Sequence, residues 1–286
     1  MASVVSMDPV TVKHERLKDL LGALEGGALV AFSGGADSAL LLHRAASFAP
    51  RPVVAATADT PTLPRSELQQ AKAFAAALGL RHLLLATGET EDPRFLANDE
   101  RRCYYCKEAL FKAMERAGRE VGARWLLFGA IADDLGDFRP GMEAARAAGA
   151  RAPLLEAGFT KAEVRELSRR LGLPTWDKPQ AACLSSRFPT GVPIAVETLG
   201  RVEAGEELLK SLGFRQCRAR LFGEGVRLEV EGEEVERAAA PAVRRCLVEG
   251  FKALGFRFVT LDLEGFRSGS TGPSMEESPH GFRGNT

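Results

Sequence analysis

The chain has 286 residues, 45% hydrophobic and 27% charged, a composition that fits one large or two modest globular domains. Lys plus Arg and Asp plus Glu both number 38, so the formal net charge is zero and the basic surplus of a tRNA- or DNA-binding protein is missing. No run reaches the ~20 apolar residues of a membrane span, and the N-terminus lacks the apolar core of a secretory signal, so a soluble cytoplasmic protein without a membrane partner is expected.

Helical spacing of Val12, Leu17, Leu20, Leu21 and Leu24 predicts an amphipathic helix at the N-terminus. Ala28 to Phe32 reads as a buried parallel strand, and Ala39 to His43 as a helix. Between them lies Ser33-Gly34-Gly35-Ala36-Asp37-Ser38. Two glycines at a strand-to-helix turn let backbone N–H groups approach an anion, and the helix N-terminus adds partial positive charge. Ser33 and Ser38 offer hydroxyls to phosphate oxygens, and Asp37 a carboxylate that holds a metal or orders the loop.

Val53 to Thr57 reads as the next strand, Ser66 to Leu78 as a helix stopped by Gly79, and His82 to Ala86 as a third strand. A helix over Glu108–Val121 and a strand over Trp125–Phe128, ending at Gly129, follow. Thr160 and Glu163 form a capping box for a helix to Leu171, with Gly172 as C-cap and Pro174 beyond it. Strands alternating with helices predict an α/β fold with a doubly wound parallel sheet, which binds ligands beyond the carboxyl ends of its strands. The turn at Ser33–Ser38 lies on that edge.

The pattern changes after Pro189. A helix over Ile194–Leu212, strands over Arg215–Leu221 and Val226–Val230, a helix near Ala242–Leu254 and a strand near Phe256–Leu263 predict a second, smaller α+β domain. The domains expected are therefore 1–190 and 191–270, with a Gly-, Ser- and Pro-rich flexible tail over 271–286.

The chain has five cysteines, an odd number that favours reduced thiols over a disulfide framework. Cys103 and Cys106, within Arg101-Arg102-Cys103-Tyr104-Tyr105-Cys106-Lys107, are spaced to reach one metal or cluster. Zinc wants two further ligands, and no second pair is present. Cys183 is the natural third thiolate, and three thiolates with one open position suit a [4Fe–4S] cluster better than a closed zinc site. The alternative is that Cys103 and Cys106 are ordinary thiols. Cys217 and Cys246 sit among apolar residues and read as structural.

SGGADS is similar to the phosphate loop of the PP-loop ATP pyrophosphatases, which split ATP between its α and β phosphates. Taken with RRCYYCK, DDLGDFRPG (133–141), the segment from Pro153 to Arg187, GFRQCRAR (213–220) and LDLEGFRSGS (261–270), the chain resembles the LarE family. These are ATP-dependent sulfur transferases that build the sulfur ligands of a nickel-pincer nucleotide cofactor. The resemblance implies ATP and Mg²⁺ as cofactors, a pyridinium biscarboxylate mononucleotide as substrate, and a homo-oligomer. A substrate carboxylate would become an acyl adenylate, and a thiolate would displace AMP. Family members with one cysteine at the place of Cys183 give up its sulfur and keep dehydroalanine. Members with three cysteines resemble cluster-dependent thiolases, in which Cys103, Cys106 and Cys183 would hold [4Fe–4S]. Cys183 is catalytic on either route.

Other roles follow by position. Asp133 and Asp134, after a strand, would hold Mg²⁺ or substrate, unless they belong to a solvated loop. Arg218 and Arg220 alternate on a strand, so they share a face suited to a nucleotide phosphate. Arg187 and Lys178 are weaker phosphate candidates, and Glu206 and Glu207 lie either on the surface or near the site. One departure stands out: Gly129-Ala130-Ile131-Ala132 replaces the Gly-Thr-Asn-Ala usual in the family, which bears on substrate identity. Competing readings are a tRNA thiolase, a PP-loop amidotransferase or ligase, and a non-catalytic nucleotide or iron–sulfur sensor. The last would need a degraded phosphate loop, and this loop is intact.

Overall fold

The computed structural model describes residues 8–135, 140–179 and 182–267. The expected tail over 271–286, and motif residues 136–139, 180–181 and 268–270, lie outside the described residues. The chain divides into two compact units: the residues up to Phe95 with Arg101–Ala182, and Leu96–Glu100 with those from Cys183 onward. Among the described residues no helix is long and apolar enough to cross a membrane.

In chain order the elements are α1 (Pro9–Gly22), β1 (Gly27–Ala31), α2 (Ala36–Phe48), β2 (Val53–Ala58), α3 (Arg65–Ala77), β3 (Arg81–Leu85), α4 (Pro93–Leu96), α5 (Arg102–Val121) and β4 (Ala123–Leu127). Then come α6 (Pro140–Ala147), α7 (Pro153–Glu156), α8 (Lys161–Arg170), α9 (Val196–Ser211), β5 (Cys217–Phe222), β6 (Gly225–Val230), α10 (Val235–Ala239), α11 (Pro241–Ala253) and β7 (Phe258–Leu261).

The first unit is a parallel sheet of order β3-β2-β1-β4 with helices on both faces. Central β1 is buried on both sides, which explains its unbroken apolar run. Ala28 and Val30 face Leu17, Leu21, Leu40, Leu42 and Ala71, from α1, α2 and α3. Leu29 faces the other way, onto Phe111 and Met114 of α5. This alternation is the doubly wound arrangement expected from the sequence.

Local chemistry sets the ends of the helices. Asp8 caps α1 by accepting from the Val10 N–H at 3.2 Å, with Pro9 in the first turn. The Thr160–Glu163 capping box opens α8 as expected: Glu163 accepts from the Thr160 N–H at 2.8 Å, and the Thr160 hydroxyl accepts in return. Helix α5 begins at Arg102, six residues before the predicted Glu108. Its first turns carry cysteine and tyrosine, which have weak helix propensity, and give no apolar stripe until Leu110. Arg101 lies over the Tyr104 ring at 4.7 Å and Arg94 over Tyr105 at 4.8 Å, which orders this start.

The second unit holds the sheet β5-β6-β7, antiparallel between β5 and β6 and parallel between β6 and β7. Helices α9 and α11 cross at two glycines. A Cβ on Gly205 would stand 2.3 Å from the Phe251 ring, and one on Gly250 would stand 2.3 Å from Leu208. The short stretch Leu96–Glu100 joins this unit through Asn98, which is fully buried at φ 56°. Its side-chain amide donates to the Pro189 and Val192 carbonyls, both at 2.8 Å, and its own carbonyl accepts from Gly191 at 2.9 Å.

Candidate active site

The Ser33–Ser38 loop leaves the carboxyl end of β1 and enters α2. Gly34 has φ 75°, a conformation that only glycine adopts readily, and Gly35 is the N-cap of α2. The first intrahelical bond runs from the Ala39 N–H to the Gly35 carbonyl at 2.9 Å. The N–H groups of Ala36, Asp37 and Ser38 therefore precede the helical ladder and have no partner within it. Ser33 and Ser38 hydroxyls lie 3.1 Å apart, and the Ser33 N–H donates to Ser38 Oγ at 3.3 Å. The Ser38 hydroxyl also donates to the Gly35 carbonyl at 3.1 Å, so the serines close the loop on itself and the N–H groups at the positive helix end form a place suited to an anion such as phosphate.

Three distant segments hold this loop within the first unit. Gly129, after β4, backs directly on it: a Cβ there would stand 2.9 Å from the Ser38 nitrogen and 3.0 Å from its Cα. Lys161, the first residue of α8, places its ammonium 2.8 Å from both Asp37 carboxylate oxygens. Lys178 reaches the Gly34 carbonyl at 3.1 Å while paired with Glu67 at 2.6 Å. The paired aspartates lie next to this arrangement, and both accept backbone N–H groups: Asp133 from Lys161 and Asp134 from Ile131, each at 2.9 Å. Asp133 thereby holds the start of α8, and so Lys161, against the loop.

Neither Lys161 nor Gly129 stood out as a functional residue in the sequence. The only local signal for Lys161 was a cation at the first helical position, where the helix dipole disfavours it. Its ion pair with Asp37 accounts for that placement.

In the second unit Cys183 is exposed at the start of the short helix Leu184–Arg187, with its Sγ 2.9 Å from Ser185 Oγ. Arg187 is buried behind it. Its guanidinium forms a fork with Glu206 at 2.7 and 2.9 Å and also donates to the Cys183 carbonyl at 3.1 Å. Glu206 is therefore interior, and it also accepts the Ala219 N–H at 3.1 Å. Glu207 is on the surface with Lys210.

On β5 both arginines are held from behind. Arg220 donates to fully buried Glu229 at 2.7 Å and to the Ser186 carbonyl at 3.0 Å. Arg218 donates to the Cys217 carbonyl at 2.7 Å and lies over Phe266 at 5.0 Å. Burial, then the neighbouring Arg187 charge, lowers the Arg218 pKa below its usual value.

Cys103 and Cys106 lie on the first turns of α5, exposed and half-buried, three residues apart and so on one helix face. Among the described residues, neither unit by itself gathers three His, Cys, Asp or Glu side chains as ligands for a metal ion. Cys217 is buried, and burial pushes its thiol up to about 12, as befits an inert structural cysteine. Cys246, read from the sequence as a structural cysteine among apolar residues, is exposed on α11. The apolar residues near it in sequence belong to the opposite face of that helix, where Leu247 and Phe251 are buried.

A family model described as asparagine synthase matches residues 27–174, the strands and helices that build the phosphate loop. An uncharacterized protein of Synechocystis is 42% identical over 257 residues, 90% of this chain and 96% of its own. Pyridinium-3,5-bisthiocarboxylic acid mononucleotide synthase of Lactiplantibacillus plantarum is 34% identical over 252 residues, 87% of this chain and 90% of its own. A tRNA(Ile)-lysidine synthase of Methylobacterium is 32% identical over 179 residues, 62% of this chain and 49% of its own. With matches of this extent across the unit that carries the SGGADS turn, the chain belongs to the PP-loop ATP pyrophosphatase superfamily, of asparagine synthase type.

Proposed function

We propose that the protein uses ATP to activate a carboxylate and then passes sulfur to it, a reading supported by its Lactiplantibacillus relative, a synthase named for a bisthiocarboxylic acid mononucleotide. The observation that carries the ATP half is the intact loop: Gly34 at φ 75°, two facing serine hydroxyls and an open helix start. A substrate carboxylate oxygen attacks the α-phosphorus, the α–β anhydride bond breaks, and pyrophosphate leaves. The loop N–H groups bind the departing phosphates as their charge develops. Mg²⁺ binds through one or two carboxylates together with substrate phosphates, and Asp37 would hold it beside the loop by exchanging the Lys161 ammonium, from which both its oxygens accept. When bound, the ion would neutralise phosphate charge.

The sulfur half rests on Cys183, whose thiol is exposed and backed by Ser185 and Arg187. Its thiolate attacks the acyl carbon, the bond to AMP breaks, and a thioester forms. Loss of the Cys183 α-proton with cleavage of its Cβ–S bond then releases a thiocarboxylate and leaves dehydroalanine. The substrate proposed is a pyridinium biscarboxylate mononucleotide, with its phosphate beside Arg218 and Arg220.

A second supply of sulfur is favoured by the accessible Cys103 and Cys106 pair on one face of α5. On that reading Cys103, Cys106 and Cys183 would hold a [4Fe–4S] cluster, which when bound would supply sulfide in place of the cysteine's own sulfur. Homo-oligomeric assembly is proposed by resemblance alone.

The test uses anaerobically purified protein with ATP, Mg²⁺ and the biscarboxylate nucleotide. Pyrophosphate release is expected, and its absence in a preparation that binds ATP would remove the reading. A loss of about 34 Da, one H₂S, after turnover identifies sacrifice of Cys183 by the chemistry of an activated thiol. Unchanged mass with stoichiometric iron identifies the cluster.

A further inference from the structure

The lysine that the sequence offers as a phosphate partner has its ammonium committed within the protein. Lys178 Nζ lies 3.1 Å from the Gly34 carbonyl, 2.6 Å from Glu67 Oε2 and 2.8 Å from Gln70 Oε1. An ammonium has three donors, and these acceptors use all three. The side chain is 13% exposed, and Glu67, 16% exposed, neutralises its charge. The backbone around it is also anchored, since Arg165 donates to the Lys178 carbonyl at 3.0 Å. We infer that Lys178 is a positioning residue of the phosphate loop, acting through the Gly34 carbonyl without touching the nucleotide. This inference rests on the ATP use proposed above.

Peptide geometry gives the mechanism. In a planar trans peptide the carbonyl and the N–H point in opposite directions. Fixing the Gly34 carbonyl on Lys178 therefore fixes the heading of the Gly35 N–H away from Lys178. Flanked by two glycines, the 34–35 peptide has little steric preference of its own, so without an anchor it can rotate. Gly34 sits over α3, where a Cβ on it would stand 3.6 Å from the Glu67 carbonyl and 3.5 Å from Ala71. Glu67 and Gln70 belong to that same helix. Lys178 thus clamps the loop to α3, and its paired charge adds no net attraction for phosphate.

The test is calorimetric titration with ATP, pyrophosphate and AMP, each with Mg²⁺, of wild type, Lys178→Met and Lys178→Met/Glu67→Gln. Failure of the wild type to bind ATP would overturn the ATP reading itself. Given wild-type binding, Lys178→Met is expected to weaken ATP and pyrophosphate by about 10–100-fold, as loss of an outer supporting group does elsewhere. AMP affinity should stay within about twofold, because its single phosphate does not require the full loop. Adding Glu67→Gln removes an uncompensated carboxylate and should restore only part of the loss. Full restoration would mean that Lys178 merely neutralises Glu67, and would overturn the inference. So would an unchanged ATP affinity, or an equal loss for AMP and pyrophosphate. Lys178→Gln, which keeps a donor, is read against the same pattern should Lys178→Met not fold. In that variant [¹⁵N]glycine-labelled protein should show the Gly35 amide resonance displaced, and an unmoved resonance would also count against the clamp.

Discussion

Gly129→Ala probes the back of the phosphate loop with a single methyl group. The added Cβ would stand 2.9 Å from the Ser38 nitrogen, 3.0 Å from the Ser38 Cα and 3.1 Å from the Asp37 carbonyl carbon. Comfortable contact for such atoms is about 3.5–4.0 Å, so the overlap is roughly 0.5–1 Å. All three neighbours are backbone of the first turn of α2, and none can rotate away. Overpacking of this kind costs about 1–3 kcal/mol, and a loss near 2 kcal/mol lowers Tm by roughly 4–8 °C in a domain of this size. Because the displaced turn carries Asp37 and Ser38, ATP affinity should fall at least about tenfold, the equivalent of about 1.4 kcal/mol of lost contact. Gly200→Ala is the matched control. Among the described residues nothing lies within 4 Å of its Cβ position in α9, so the same substitution there should raise stability, by up to about 1 kcal/mol. Thermal melts and ATP titrations of both variants decide the matter. A Gly129→Ala protein that melts within a degree of wild type and binds ATP equally would refute the packing reasoning.

Asp37→Asn and Lys161→Met should show a coupling of about 1 kcal/mol in a double-mutant cycle of unfolding, since the pair is only partly buried; additive effects would mean that the ion pair contributes nothing. Arg187→Met strands buried Glu206 and should cost about 3–5 kcal/mol in urea denaturation, with much of it recovered in Arg187→Met/Glu206→Gln. Equal losses in both would contradict that reading. Acidification should weaken the first unit through His14 and His43. Both rings accept from buried Arg44, at 3.3 and 2.8 Å, and burial, then the Arg44 charge, lowers both pKa values from 6.5. At His14 the nearby Glu15 opposes this shift and Lys18 adds to it. The unfolded chain takes up these protons first, so the stability is fully present above the unfolded pKa, about 6.5, and is lost as pH falls through the lowered folded values. His82 shifts in the same direction, again mainly through burial. The urea midpoint should drop between about pH 7 and 5, and less in His14→Gln/His43→Gln; an equal drop in that variant would place the effect elsewhere.

The elements that were legible in the sequence are those whose burial is set locally. β1 and β2 read as strands because both faces are covered, leaving continuous apolar runs, and α8 announced itself through Thr160 and Glu163. The start of α5 was hidden because Tyr104 and Tyr105 meet each other edge-on and pack under Arg101 and Arg94 instead of entering a core. The excursion of Leu96–Glu100 into the second unit was equally hidden. It depends on the Asn98 amide meeting carbonyls 91 and 94 positions away. The phosphate loop itself was plain, but the reading of Asp133 and Asp134 was not. Short side chains after a strand look alike in sequence whether or not they accept a neighbouring N–H, and that each of these accepts one, from Lys161 and Ile131, was not legible. The burial of Arg187 and Arg220 against Glu206 and Glu229 could not be read from sequence spacing.

The phosphate loop is six residues long, yet its shape depends on residues that the motif does not contain. Asp37 is held by a lysine 124 positions away, Gly34 by one 144 positions away, and the first turn of α2 rests on Gly129. Each of these lysines is paired with a carboxylate, so the two cations beside the loop add no net positive charge. Attraction for a nucleotide must then come mainly from aligned N–H groups at the start of α2, which act only at short range and only if correctly aimed. Aim is what Lys178, Asp133 and Gly129 supply, through a carbonyl, a helix cap and a steric stop. A chain that kept SGGADS but lost those three supports would still match the motif, with donors that no longer converge. The strength of the ATP reading therefore lies less in the six letters than in their three distant supports, all present within one compact unit.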